Sequence, residues 1–173
     1  MSKVKNEQII IREVSEQEKP LIGQLLLESY QQYEQFFERE RWKNYEQELK
    51  NAAENKYIDK FFVAQYKDQL IATIQLFRTS FEAYGLDSLD IDQPIIRFLA
   101  VHPNGRGLGI AKKLLETAIT YARADGKKAI YLHTTDIMEQ AILLYKHYGF
   151  VRHPEKDFLK NENPISCYKL DIQ

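Results

Sequence analysis

Hydrophobic positions along the chain change their period several times, and each change marks an element. A short apolar run, Ile9-Ile10-Ile11, ends in charge and predicts a strand over residues 8–14. Ser15 with Glu18 three positions on has the spacing of a capping box. Apolar residues then shift to helical spacing at Leu21, Ile22, Leu25, Leu26 and Ser29 to Tyr33. A second helix is expected over 40–53. Residues 61–66 and 71–78 are rich in β-formers, and the Lys67-Asp68-Gln69 break between them predicts a hairpin. Residues 81–90 are polar around Gly85 and read as a loop. Pro94, tolerated only near the start of a strand, precedes a strand over 95–101.

Beyond that strand, apolar residues recur at Ile110, Leu114, Leu115, Ala118, Ile119 and Ala122, while Lys112, Lys113, Glu116 and Arg123 fall elsewhere. One stripe of this helix therefore faces a sheet. Asp125-Gly126 stops it. Residues 129–134 read as a strand. Asp136 with Glu139 offers a second capping box for a helix over 137–148, stopped at Gly149, and strands over 150–153 and 165–170 close the pattern. The order is βααβββαβαββ, an α/β class with about seven strands. No repeat or linker interrupts it, so residues 1–173 are expected to form a single domain, long enough to bury about 70% of its unfolded surface.

Chemistry concentrates between the strand and helix on either side of residues 102–109. Gly105, Gly107 and Gly109 alternate there, followed at once by helical periodicity. A helix that starts this way has unpaired amides and its positive dipole end facing the loop, which suits an anion. Arg106, Lys112 and Lys113 add cationic groups. A plain glycine turn that lets strand and helix pack is the competing reading. Spacing excludes two phosphate motifs. A Walker loop needs Gly-Lys-Ser/Thr five positions after its first glycine, where Gly105 is followed by Ile110; the Gly-x-Gly-x-x-Gly fingerprint fails at Ile110 and Lys112.

What the stretch does match is Arg-x-x-Gly-x-Ala, as Arg106-Gly107-Leu108-Gly109-Ile110-Ala111, after Leu99-Ala100-Val101-His102-Pro103. This resembles the acetyl-CoA-binding motif of the GNAT superfamily of N-acetyltransferases. A second block, Ala141 to Phe150 with its Ala-x-x-x-Tyr-x-x-x-Gly-Phe ending, is similar to that family's later helix. The resemblance implies a GNAT-like domain whose central mixed sheet has a splayed parallel strand pair binding acetyl-CoA. Pantetheine would pair with the backbone of Leu99, Ala100 and Val101. The pyrophosphate would fall on Arg106, Gly107, Leu108, Gly109, Ile110 and Ala111, with Lys112 beside it. A backbone N–H near Leu99 would stabilise the oxyanion. Tyr145 matches the tyrosine that protonates the coenzyme A sulfur, and a phenol near pKa 10 stays a donor at neutral pH; its alternative is a core aromatic on the helix stripe. His133 lies on the strand where some relatives carry a glutamate base, with a packed histidine bonded to backbone as its alternative. Two positions depart from the family pattern: Met138 stands for an asparagine that bonds the cofactor arm, and Ile95 lacks the acidic residue found near it in many relatives.

The remaining composition narrows the partners. A net charge of −1 with mixed signs argues against a nucleic-acid surface. A lone Cys167 in an apolar run reads as a buried, inert thiol in a reducing cytoplasm, and the four histidines show no metal-ligand spacing. His102 and His147 are expected at the surface. No apolar run follows Met1 to Asn6, so neither a signal peptide nor membrane binding is expected. The aromatics and carboxylates from Glu28 to Glu46, with Phe81, Glu82 and Tyr84, suit an ammonium. They predict a small-molecule or peptide amine acceptor near Tyr33 and Glu82. A homodimer stays open, as does a non-catalytic acyl-CoA sensor or scaffold.

Overall fold

Local chemistry sets where each element begins. The computed structural model describes residues 8–173; the leader expectation for residues 1–6 falls outside them. Strand β1 is Ile9–Glu13, and a 3-10 turn at Glu16–Glu18 leads into helix α1, Lys19–Tyr30. The Glu18 carboxylate reaches back to accept from the Ser15 N–H at 2.9 Å, as the capping spacing predicts. Helix α2 is Arg39–Asn51; strands β2, Lys60–Tyr66, and β3, Gln69–Phe77, form the expected hairpin. Next come α3, Ser80–Tyr84; β4, Ile95–Val101; α4, Ile110–Ala124; β5, Ala129–Thr134; α5, Glu139–Tyr148; β6, Val151–Arg152; β7, Phe158–Lys160; and β8, Asn163–Asp171. The strands follow the order β1-β2-β3-β4-β5-β8-β6, and β7 pairs with β8.

Several expectations need correction. Eight strands form rather than about seven, because β7 pairs antiparallel with the start of β8 from Phe158↔Ile165 to Lys160↔Asn163. The segment expected as a loop over 81–90 holds α3. Thr79 Oγ1 accepts the Glu82 N–H at 3.2 Å, and the Gly85 N–H returns to the Phe81 carbonyl at 2.7 Å, so both ends are capped. Helix α1 ends at Tyr30, and Gln31–Phe36 continue as a 3-10 turn. Leu21 lies on the outer side of α1, 59% exposed. Asp136 caps nothing. Thr135 O holds the Met138 N–H at 3.1 Å, and Met138 rather than Asp136 stands at the N-cap of α5, with no side-chain cap hydrogen bond.

The chain divides into two compact units. The first contains the described residues up to 56, with 60–75 and 98–116. Here β1 and β2 pair antiparallel from Ile9↔Tyr66 to Glu13↔Phe62, and Arg12 grips Glu18 with two nitrogens at 2.8 and 2.6 Å. The second contains 57–59, 76–97 and 117–173. In it β4 pairs parallel with β5 at Ile95↔Tyr131 and Ile96↔Leu132, and β5 pairs antiparallel with β8 over its whole length. Phe77, Ala83, Leu89, Ile91, Ile95, Ala129, Tyr131 and Cys167 form one buried cluster of that unit. Among the described residues no helix is long and apolar enough to cross a membrane.

Candidate functional site

In the first unit the strand-to-helix passage is irregular from its first residue. Phe98 takes φ 52°, a left-handed conformation that costs a non-glycine residue of order 1–3 kcal/mol and persists only where its surroundings enforce it. Leu99, Ala100 and Val101 follow, and the His102 N–H closes on the Ile71 carbonyl at 2.8 Å. The loop turns through a 3-10 segment, Pro103–Gly105. Gly107 and Gly109 then adopt φ 81° and 74°, and a Cβ at either would meet nothing within 4 Å. These glycines permit the backbone path and leave open space beside it. The Lys113 N–H returns to the Gly109 carbonyl at 3.1 Å, so the amides of Ile110, Ala111 and Lys112 precede the first helical donor. Ile110 is 1% exposed, so only its backbone can face a ligand; Lys112 is exposed.

Arg106 is committed elsewhere. Its guanidinium donates to the Ser29 carbonyl at 2.8 Å and to Gln32 Oε1 at 3.2 Å, and its amide closes on Pro103 O at 3.4 Å. The expectation of an anion contact then rests on the backbone from Gly107 to Lys112. His102, expected at the surface, is tied on both nitrogens. Nδ1 accepts the Asn104 N–H at 3.1 Å, which leaves the proton on Nε2 to donate to Glu28 Oε2 at 2.6 Å. Glu28 sits below the usual carboxylate range, chiefly because Gln24 donates to it. Tyr33, in the 3-10 turn after α1, is half-buried, its hydroxyl raised by that burial, and its ring packs 5.9 Å from Tyr30.

The second unit holds the two proposed catalytic side chains. Tyr145 is buried on α5, 7% exposed, with Phe150 at 5.8 Å. His133 on β5 faces protein on both sides: Nε2 lies 2.9 Å from the Lys156 carbonyl, and Nδ1 lies 2.9 Å from the Tyr84 hydroxyl. A carbonyl only accepts, so Nε2 carries the proton and Nδ1 accepts from Tyr84. Burial pushes the His133 pKa down to about 4 and raises the Tyr84 hydroxyl. Phe158 packs 5.0 Å from both rings, and the Arg97 guanidinium sits 4.9 Å from the Tyr84 ring while donating to the Ala83 carbonyl at 2.6 Å. Sequence reasoning missed the Tyr84 partnership: the two residues are 49 positions apart, and α3, which carries Tyr84, was unexpected. Glu82, also on α3, is half-exposed. Thr134 Oγ1 lies 3.4 Å from the Met138 sulfur, so the residue standing for the family asparagine is engaged locally. Cys167 is fully buried, and burial drives its thiol up to about 12.

Known proteins share this fold. The chain is 29% identical over 105 residues to N-acetyltransferase 8B of Homo sapiens, covering 57% of this chain and 41% of that protein. It spans less than half the length of the first curated relatives it matches. A GNAT-family acetyltransferase from Staphylococcus aureus Mu50 superposes with TM-score 0.68 at 24% identity, covering 95% of this chain and 99% of that one. The PaiA N-acetyltransferase of Thermoplasma acidophilum, solved in complex with coenzyme A, gives TM-score 0.69 at 18% identity over 94% of this chain and 99% of its own. The description "Acetyltransferase (GNAT) family" matches residues 22–150, a span that runs through both compact units and contains the glycine loop and α5. The chain belongs to the GNAT family of acetyltransferases.

Proposed function

We propose that this protein transfers the acetyl group of acetyl-CoA to a primary amine of a small molecule or peptide by direct attack. The observation that carries this reading is the left-handed Gly107 and Gly109 pair, with open space beside each, leading into the uncommitted first amides of α4. That cradle fits a pyrophosphate, whose charge matches the helix end. When bound, acetyl-CoA supplies an activated thioester. The amine nitrogen bonds to the acetyl carbon, the carbon–sulfur bond breaks, and the products are the acetylated amine and the free thiol. Tyr145 gives the sulfur its proton and regains one as the amine nitrogen loses its own. The β4 backbone near Leu99 supplies the N–H for the charge that develops on the carbonyl oxygen.

His133 is supported better as a packed histidine than as the base, since Tyr84 takes up its one lone pair. Tyr33 and Glu82 stay the residues proposed for the acceptor, the first half-buried and the second half-exposed. A sensor without turnover is the second reading, favoured by the thioether of Met138 at the start of α5 in place of an amide.

A panel of amines with acetyl-CoA and thiol release as readout tests the proposal. Tyr145→Phe keeps the ring and removes the proton, so turnover should fall about 10²–10⁴-fold while coenzyme A still stabilises the protein. Stabilisation without thiol release from any amine would select the sensor. Unchanged turnover in the phenylalanine variant would remove the acid.

A further inference from the structure

The last turn of α1 and the turn after it are fastened to the β4 end and its loop by four contacts from residues 28–32. Glu28 meets His102 at 2.6 Å, the Ser29 carbonyl and Gln32 side chain hold Arg106, and the Tyr30 hydroxyl donates to the Leu99 carbonyl at 3.3 Å. Tyr30 itself is 9% exposed and is held by rings on two sides, Tyr33 at 5.9 Å and Tyr45 at 6.0 Å edge-on. Its hydroxyl therefore has little freedom. The carbonyl it reaches belongs to the peptide that follows the left-handed Phe98 by one residue. A peptide is planar and trans, so fixing the Leu99 carbonyl fixes the opposite direction of the Ala100 N–H in the same plane.

We infer that Tyr30 is a positioning residue for acetyl transfer, holding the Leu99–Ala100 peptide so that the irregular β4 backbone presents its N–H groups to the reacting carbonyl. This rests on the acetyltransfer reading above. Tyr30 touches neither the thioester nor the amine; it acts through the backbone. Two neighbouring ties explain why α1 can hold such a register: Arg106 satisfies a carbonyl at the helix end, where cations are favoured, and the Glu28–His102 pair pins the residue after β4. A strained backbone needs such enforcement to persist, and a cluster of ties at one strained strand end is the expected signature.

The test compares Tyr30→Phe with the parent in single-turnover acetyl transfer to whichever amine the parent accepts. Removing a whole oxyanion donor costs about 10²–10³-fold, so loosening the peptide that carries one should slow transfer by roughly 10-fold. Acetyl-CoA affinity, read by its stabilisation of the fold, should fall clearly less than the transfer rate, since the loop amides proposed for the pyrophosphate are untouched. The pH–rate profile should keep its shape, because Tyr30 titrates nothing in this role. Transfer within twofold of the parent in a folded Tyr30→Phe would overturn the inference alone. An equal loss of acetyl-CoA affinity would make Tyr30 a binding residue, and a displaced pH profile would make it an acid or base; either also overturns it. A parent that releases no thiol with any amine overturns the acetyltransfer reading, and this inference with it. Tyr30→Leu guards against a packing artefact: if only the ring matters, the leucine variant is slow and the phenylalanine variant is not.

Discussion

The two compact units use polar groups in opposite ways. In the first, side chains such as Arg106, His102 and Tyr30 close on backbone or on each other, and what they leave open is main chain: the amides from Gly107 to Lys112. In the second, main chain is closed into ladders and polar side chains pair with protein atoms around an apolar core. His133 gives both nitrogens to protein atoms, and Arg152 grips Asp157 with two nitrogens at 2.8 Å while Asp157 accepts the Cys167 N–H at 2.7 Å. A ligand-binding surface made of backbone tolerates changes of side chain but not of φ. A network of paired side chains tolerates changes of neither partner.

The largest expected break in this contrast lies at Gly109. Gly109→Leu forces a side chain onto a backbone at φ 74° and fills the open space beside it. The stabilisation by acetyl-CoA, about 2.7 kcal/mol at a hundredfold excess over Kd, should vanish. Thermal unfolding with and without ligand measures it, and a full ligand shift in the variant would show that the loop is only a turn.

His133→Ala comes next. It leaves the Tyr84 hydroxyl and the Lys156 carbonyl without their partner, and a buried unsatisfied group costs about 1–3 kcal/mol. Denaturant unfolding should show that loss. Preserved transfer per folded molecule supports the packed role, whereas loss of the acidic limb of the pH–rate profile would restore His133 as base. The parent also carries a pH signature here. Because burial holds the folded His133 pKa near 4 against 6.5 in the unfolded chain, the unfolded state takes up the proton first. Stability from this group is complete above pH 6.5 and declines as pH falls from there toward 4. His133→Gln should flatten that decline.

The first unit should respond lower on the pH scale. Hydrogen bonds from Arg12 and then Ser15 hold Glu18 down at about 2 against an ordinary 4.5, so its contribution is present above pH 4.5 and fades as pH falls toward 2. The pair is partly open to solvent, so the loss is on the order of 1 kcal/mol. Glu18→Gln should remove that limb without touching the one at higher pH. Smallest of all, Glu28→Gln weakens a 43%-exposed partner of His102 and should cost about 0.5 kcal/mol.

How much of this could be read beforehand follows the same division. Periodicity located α4 and β5 because long amphipathic stripes and short apolar runs are local signals, and the glycine loop was legible because its chemistry resides in the order of residues. Helix α3 was missed although Thr79, Glu82 and Gly85 carry its caps, since five polar-flanked residues look like a loop until Ala83 and Leu89 are seen to be buried. Arg106 was read as a phosphate neighbour because its charge is visible and its partners, 74 and 77 positions away, are not. The Tyr84–His133 bond was invisible for the same reason.

Gly23 shows how little sequence can set a distance. A Cβ there would stand 2.8 Å from the Lys50 carbonyl oxygen at the far end of α2, so this one missing atom serves as the spacer gauge of the α1–α2 pair. Tyr30, Trp42 and Tyr45 all ride on those two helices. An alanine at this position must part the helices and repack the aromatic cluster they carry, so one methyl group at the α1–α2 crossing reaches as far as the Tyr30 ring.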